Sequence, residues 1–147
     1  MKVNILINKD FFFNHSTYSF VFPIIKSINL IREMGININF LYKLTEYTFD
    51  CDCLIIDSRF NNTKFINKEK FIEYLSKNKT DKIIYADTAD NSGQIKADFL
   101  EIVDTYWKGQ ILKKKSEYMK KHYGGRLFTN YYNRVFKVID KNETYNQ

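Results

Sequence analysis

The stretch Ile83-Ile84-Tyr85-Ala86-Asp87-Thr88-Ala89-Asp90-Asn91-Ser92-Gly93 decides the fold. Its first four residues are apolar without alternation, as expected of an interior strand of a parallel sheet, covered on both faces. This strand, read as Lys82 to Asp87, runs into a loop holding two carboxylates, two hydroxyls, an amide and a glycine. In an open α/β sheet, ligands gather outside the carboxyl ends of the strands, where such loops sit. The stretch therefore predicts an α/β domain with a polar rim at this place.

Working outward, Cys53-Leu54-Ile55-Ile56-Asp57 is a second continuous apolar run, again suited to an interior strand. Between the two runs, Asn67 is placed to cap a helix reaching about Asn78 that buries Phe71, Ile72 and Leu75. Val3 to Ile7 reads as the first strand. Val21, Ile24, Ile25, Ile28 and Ile31 then fall at helical spacing, and Gly35 supplies a stop. Because Pro23 lacks an N–H, it belongs in a first turn, which predicts a helix start near Ser19 or Phe20. Ile36 to Leu41 alternates apolar and polar residues, the pattern of a strand near a sheet edge.

Repeated strand–helix–strand units imply right-handed crossovers and an α/β fold. The expectation is one three-layer Rossmann-like domain over residues 1–147, with a mainly parallel sheet of about five strands ordered 2-1-3-4 from one edge. A short fifth strand is placed within Phe99 to Tyr106. Gly109 to Tyr118 reads as a helix, Tyr123 to Thr129 as a loop, and Tyr131 to Val138 as a turn of helix or strand. The basic segment 108–147 is expected to pack on the domain.

The composition fits this picture. A chain of 147 residues buries roughly two-thirds of its unfolded surface. Its 44% hydrophobic and 27% charged residues are ordinary globular values. Aromatics are plentiful, with 13 Phe, 11 Tyr and one Trp, whereas one Pro and five Gly argue against a linker-rich chain. Val3 to Ile7 is too short for the core of a signal peptide, and no run approaches a membrane span. Two cysteines do not make a disulfide scaffold, so a cytoplasmic setting is expected. Cys51 and Cys53 lack the second pair that a zinc site needs.

Charge is unevenly placed. Residues 1–107 hold 13 Lys and Arg against 14 Asp and Glu, whereas residues 108–147 hold 10 against 3. In that last segment Lys113, Lys114, Lys115, Lys120, Lys121, His122, Arg126 and Arg134 are interleaved with Tyr118, Tyr123, Phe128, Tyr131 and Tyr132. Such a pattern can grip single-stranded nucleic acid, rest on an anionic membrane as a peripheral contact, or simply form a solvated face. Of the first two, nucleic acid is the less favoured partner.

Candidate site residues come from the strand ends. The turn after the first strand, Asn8-Lys9-Asp10-Phe11, has no glycine, so neither a dinucleotide fingerprint nor a Walker loop can form there. His15 lies in the same connection. An imidazole there could take a proton from a substrate hydroxyl, with Asp87 or Asp90 orienting it; the plain alternative is a histidine bonded to backbone. Asp87, Asp90 and Ser92 could bind sugar hydroxyls, with backbone N–H groups near Gly93 donating, or the loop could be a turn capped by Asp90, Asn91 or Ser92. The two carboxylates could instead hold Mg²⁺, but the spacing departs from an Asp-x-Asp phosphotransfer loop, and no metal or cofactor is assigned. Asp57 at a strand end suggests a receiver domain, against which the first turn lacks the paired acids for Mg²⁺. In Tyr123-Gly124-Gly125-Arg126 the glycines permit a tight turn, and Arg126 offers a fork for phosphate or carboxylate.

Taken together, Asp87 to Gly93, Val103-Asp104-Thr105-Tyr106-Trp107-Lys108, Lys115-Ser116-x-Tyr118 and Tyr123-Gly124-Gly125-Arg126-Leu127-Phe128-Thr129-x-Tyr131-Tyr132 resemble the amino-terminal half of microbial and phage-associated glycosyltransferases of the two-domain GT-B architecture. The resemblance covers residues 83–138. It implies transfer of a sugar from a nucleotide-sugar donor to a carbohydrate or lipid-linked acceptor, with this domain facing the acceptor. A base in the loop after the first strand, found in some inverting members, would map to His15. Arg126 would be an anion or interdomain contact. The donor domain's glycine and acidic motifs are missing from the sequence. A donor-binding domain or subunit is therefore the implied partner, and the chain by itself is expected not to turn over.

Overall fold

The computed structural model describes residues 1–60, 68–78, 80–89 and 94–139. Five strands form one parallel sheet: β1 (Lys2–Leu6), β2 (Asn37–Leu41), β3 (Cys53–Asp57), β4 (Lys82–Asp87) and β5 (Thr105–Lys108). Their order is β2-β1-β3-β4-β5, and every pairing is parallel. Helices lie on both faces, so the molecule is an α/β, Rossmann-like three-layer fold. The interior strands are the apolar ones: β3 is buried throughout and β4 from Ile83 onward. Strand β2, with its alternating asparagines, lies at one edge.

Side-chain alternation divides the core in two. Val3, Ile5, Ile7, Cys53, Ile55, Ile84 and Ala86 face one side. There Val21, Tyr18, Phe20 and Ile24 of α1 (His15–Lys26) cover them. Leu6, Leu54, Ile56, Ile83 and Tyr85 face the other side and pack under Phe71 and Leu75 of α3 (Lys68–Lys77) and Phe99 of α4 (Ala97–Leu100). Each such buried side chain contributes roughly 1.5–3 kcal/mol. Between α1 and β2 lies α2 (Ile28–Glu33), and Gly35, with φ of +77°, ends that helical run as its sequence position predicts.

Several boundaries depart from expectation. Helix α1 begins at His15, about one turn before Ser19, with Pro23 in its interior. The Asn14 side chain accepts the Thr17 N–H at 3.2 Å and caps the helix there. Pro23 removes the bond to the Ser19 carbonyl, on an exposed residue, and the helix breaks soon afterwards at Ser27. The fifth strand starts at Thr105; the preceding Ala97–Leu100 is helical and sends Phe99 onto Tyr85, ring centroids 4.1 Å apart. The expected cap Asn67 lies outside the described residues.

The segment after β5 differs most. The expected helix over Gly109 to Tyr118 is absent: the chain is irregular to Lys114, and a 3-10 helix spans Lys115–Met119. Two of its apolar residues, Ile111 and Met119, are exposed. The tight turn falls at Tyr123–Gly125, where Gly124 and Gly125 have φ of +64° and +65°. The expected loop ends at Arg126, and α5 (Leu127–Phe136) takes up its last residues and continues through most of the stretch expected as a turn of helix or strand.

Candidate functional site

At the carboxyl ends of β4 and β5, beside the first turns of α1, lies a cleft of about 560 Å³. Its walls bring together three segments remote in sequence: His15, Ser16, Ser19 and Phe20; Ala86 to Ala89; and Trp107 to Gln110. The parallel order accounts for this. Helix α1 leaves β1 and crosses the sheet face shared by β3 and β4. Beyond it, over β5, no helix among the described residues takes its place. Trp107, on that outer strand, is left 47% exposed. The resulting hollow has aromatic surfaces from Trp107 and Phe20, hydroxyls from Ser16, Ser19 and Thr88, the His15 imidazole and the Gln110 amide. An apolar platform with a few directional polar groups is the usual make-up of a small-ligand site.

A buried polar layer supports the floor. The Asp57 carboxylate, 1% exposed, accepts from Thr17 Oγ1 and Thr88 Oγ1, each at 2.6 Å. The Thr88 N–H donates to Ser58 Oγ at 3.1 Å. These bonds tie the first turn of α1 to the end of β4 and fix the two walls relative to one another. With both oxygens so occupied and no surface to offer, Asp57 is poorly placed to be a phosphoryl acceptor.

Asp87 has a different role from the one its sequence position suggests. Alternation places its side chain with Tyr85, on the face toward α3 and α4 rather than toward α1. The carboxylate is 3% exposed. Its Oδ2 accepts from Tyr106 Oη at 2.7 Å and Lys108 Nζ at 2.9 Å, and its Oδ1 from the Ala89 N–H at 3.2 Å. The Lys108 side chain is itself only 4% exposed. Burial, followed by the hydrogen bond to Asp87, pushes the Tyr106 phenol above its ordinary range and keeps it a neutral donor. Asp87 thus anchors the strand ends that carry the cleft, and its carbonyl accepts the Gly109 N–H at 3.2 Å.

His15 lines the cleft as the first residue of α1, and no hydrogen bond joins it to Asp87. Arg126 stands apart from the cleft lining, its guanidinium carbon 5.7 Å from the centroid of the Phe128 ring. Asp90, Ser92 and Gly93 lie outside the described residues. Just after them, the Gln94 amide donates to the Gly125 carbonyl at 2.9 Å, joining the loop after β4 to the glycine turn. Among the described residues no group of three His, Cys, Asp or Glu is arranged to hold a metal ion. Cys53 sits in the core, where burial raises its thiol pKa. Among the described residues no helix is long and apolar enough to cross a membrane.

Sequence reasoning assigned no site role to Trp107, Phe20, Ser16, Ser19, Lys108 or Tyr106. The alternation Tyr106-Trp107-Lys108 was a usable signal, since it sends Trp107 to the face opposite its neighbours. What it lacked was the register of β5 on β4, which sets Lys108 beside Asp87.

Compared with protein-family models, curated proteins and solved structures, the chain shows no significant match.

Proposed function

We propose that the chain is the acceptor-side domain of a GT-B-type glycosyltransferase, acting on a carbohydrate or lipid-linked acceptor with a nucleotide-sugar donor held by a partner domain or subunit. The observation that carries this reading is the cleft. It pairs an exposed indole, onto which the apolar face of a sugar ring can stack, with neutral hydroxyl and amide groups suited to sugar hydroxyls. Trp107 and Phe20 would hold the ring, and Ser16, Ser19, Thr88 and Gln110 would set its orientation. His15, at the rim, would take the proton of the acceptor hydroxyl as that oxygen forms its bond to the anomeric carbon and the donor's nucleotide departs. Asp87, held by Tyr106 and Lys108, serves as a positioning residue. Arg126 would serve as an anion contact.

Saturation-transfer NMR with a panel of mono- and disaccharides tests the reading. At least one sugar should receive saturation from the protein, and Trp107→Ala should weaken that binding about tenfold, the loss of roughly 1.4 kcal/mol of ring contact. His15→Ala should leave binding in place, because its role is in proton transfer. A panel without any contact, or contacts indifferent to Trp107→Ala, would rule the proposal out.

A further inference from the structure

Helix α5 is amphipathic in the wrong sense for a helix that packs on its own protein. Phe128, Tyr131, Tyr132, Val135 and Phe136 recur at i, i+3, i+4, i+7 and i+8, the spacing of a continuous apolar stripe. Yet each of these five is between 47% and 60% exposed. The polar side meets the turn that precedes the helix instead. Thr129 Oγ1 donates to the Tyr123 carbonyl at 2.9 Å, and Asn130 Oδ1 accepts the Tyr123 N–H at 3.2 Å. Within the stripe, Tyr131, Tyr132 and Phe136 contact one another, with centroids 5.6 to 6.2 Å apart. Val138 and Ile139, just past the helix, are exposed as well. The turn at Gly124 and Gly125 that presents this helix is therefore holding an apolar surface outward.

Charge identifies what covers it. Arg126 lies at the start of α5, against Phe128, and Arg134 and Lys137 lie at its end. Lys113, Lys114, Lys115, Lys120 and Lys121 are exposed in the preceding segment. Across the described residues 109–139, eight Lys and Arg face a single acid, Glu117, which is bound to Lys120 at 2.6 Å. A second copy of the chain is a poor fit, because pairing two α5 helices antiparallel would bring Arg126 against Arg134 and Lys137. A continuous stripe whose rings meet edge-on or tilted suits hydrocarbon better than stacking with nucleobases. Aromatic residues bordered by Arg and Lys match the boundary between acyl chains and anionic headgroups.

We propose that α5 is an interfacial helix that seats the protein on an anionic lipid bilayer, with its Phe128–Phe136 stripe entering the headgroup–acyl boundary and its Arg and Lys side chains meeting lipid phosphates. At about 15 Å the helix lies in the plane of the interface. The proposal is independent of what the cleft binds.

Co-sedimentation of the full chain with vesicles tests it, using phosphatidylcholine alone and phosphatidylcholine mixed with phosphatidylglycerol. The anionic vesicles should bind at least about tenfold more tightly, since each Lys or Arg near such a surface adds roughly 1 kcal/mol. Binding should weaken as salt is raised. Tyr131→Ser with Phe136→Ser should reduce binding about tenfold while leaving the circular dichroism spectrum unchanged, because both side chains lie outside the core. A separate Arg126→Gln, Arg134→Gln variant should lose much of the preference for anionic vesicles and retain a weak attachment to both. Equal binding to the two vesicle types, or to neither, would overturn the proposal. So would a dimer in light scattering that Tyr131→Ser with Phe136→Ser abolishes, or displacement from vesicles by a single-stranded oligonucleotide that the aromatic double variant still binds.

Discussion

Asp87 and Lys108 meet across β4 and β5, 2.9 Å apart and almost wholly out of water. A buried ion pair adds little over a well-packed apolar pair, but losing one member leaves an uncompensated charge inside. Lys108→Met should therefore lower stability by about 3–5 kcal/mol, and adding Asp87→Asn should restore part of it. Urea denaturation of the two variants checks this; an unchanged midpoint for the single variant would contradict the burial of the pair. The aspartates also show what a residue's identity leaves open. Asp57 and Asp87 both end apolar strands, and either could be read as a ligand-binding carboxylate. Asp57 is held by two threonine hydroxyls and Asp87 by a phenol, an ammonium and a backbone N–H. Their side-chain partners lie 19 to 40 positions away, beyond the reach of any local pattern.

Among the elements, the strands were legible and the helix ends less so. Continuous apolar runs at Cys53–Asp57 and Lys82–Asp87 mark interior strands because only a strand covered on both faces tolerates them. Pro23 misplaced the start of α1, because a proline's cost is one carbonyl bond, and Asn14 offered a cap a turn and a half earlier. The segment after β5 was misread because three consecutive lysines and two uncovered apolar residues have no helix face to bury. The turn before α5 carries a sharper expectation. Gly124 has φ of +64°, and a Cβ added there would stand 3.0 Å from Thr129 Oγ1. Gly124→Ala should cost about 1–2 kcal/mol from the left-handed backbone alone. It should also loosen the first turn of α5, seen as faster amide exchange at Asn130. Unchanged exchange there would mean that the turn does not position the helix.

At the scale of the whole molecule, stability should be graded across the sheet. Strands β1, β3 and β4 are interior and buried, whereas β2 and β5 are edges with partly exposed side chains. Hydrogen exchange should be slowest in the three interior strands and appreciably faster in the two edges, because edge amides open without breaking the core. Equal protection across all five would indicate that the edges are covered by something more. The sequence by itself determined the alternation of strands and helices, the parallel sheet, its edge at β2, and the concentration of positive charge after residue 107. Each of these is written in windows of about ten residues, as periodicity or composition. Only the tertiary structure decided which residues share the cleft, that Asp87 turns inward to Lys108 and Tyr106, and that α5 holds its apolar stripe outward. Those features depend on strand register and on what packs against each face, and both are set by contacts between segments that are distant in the chain.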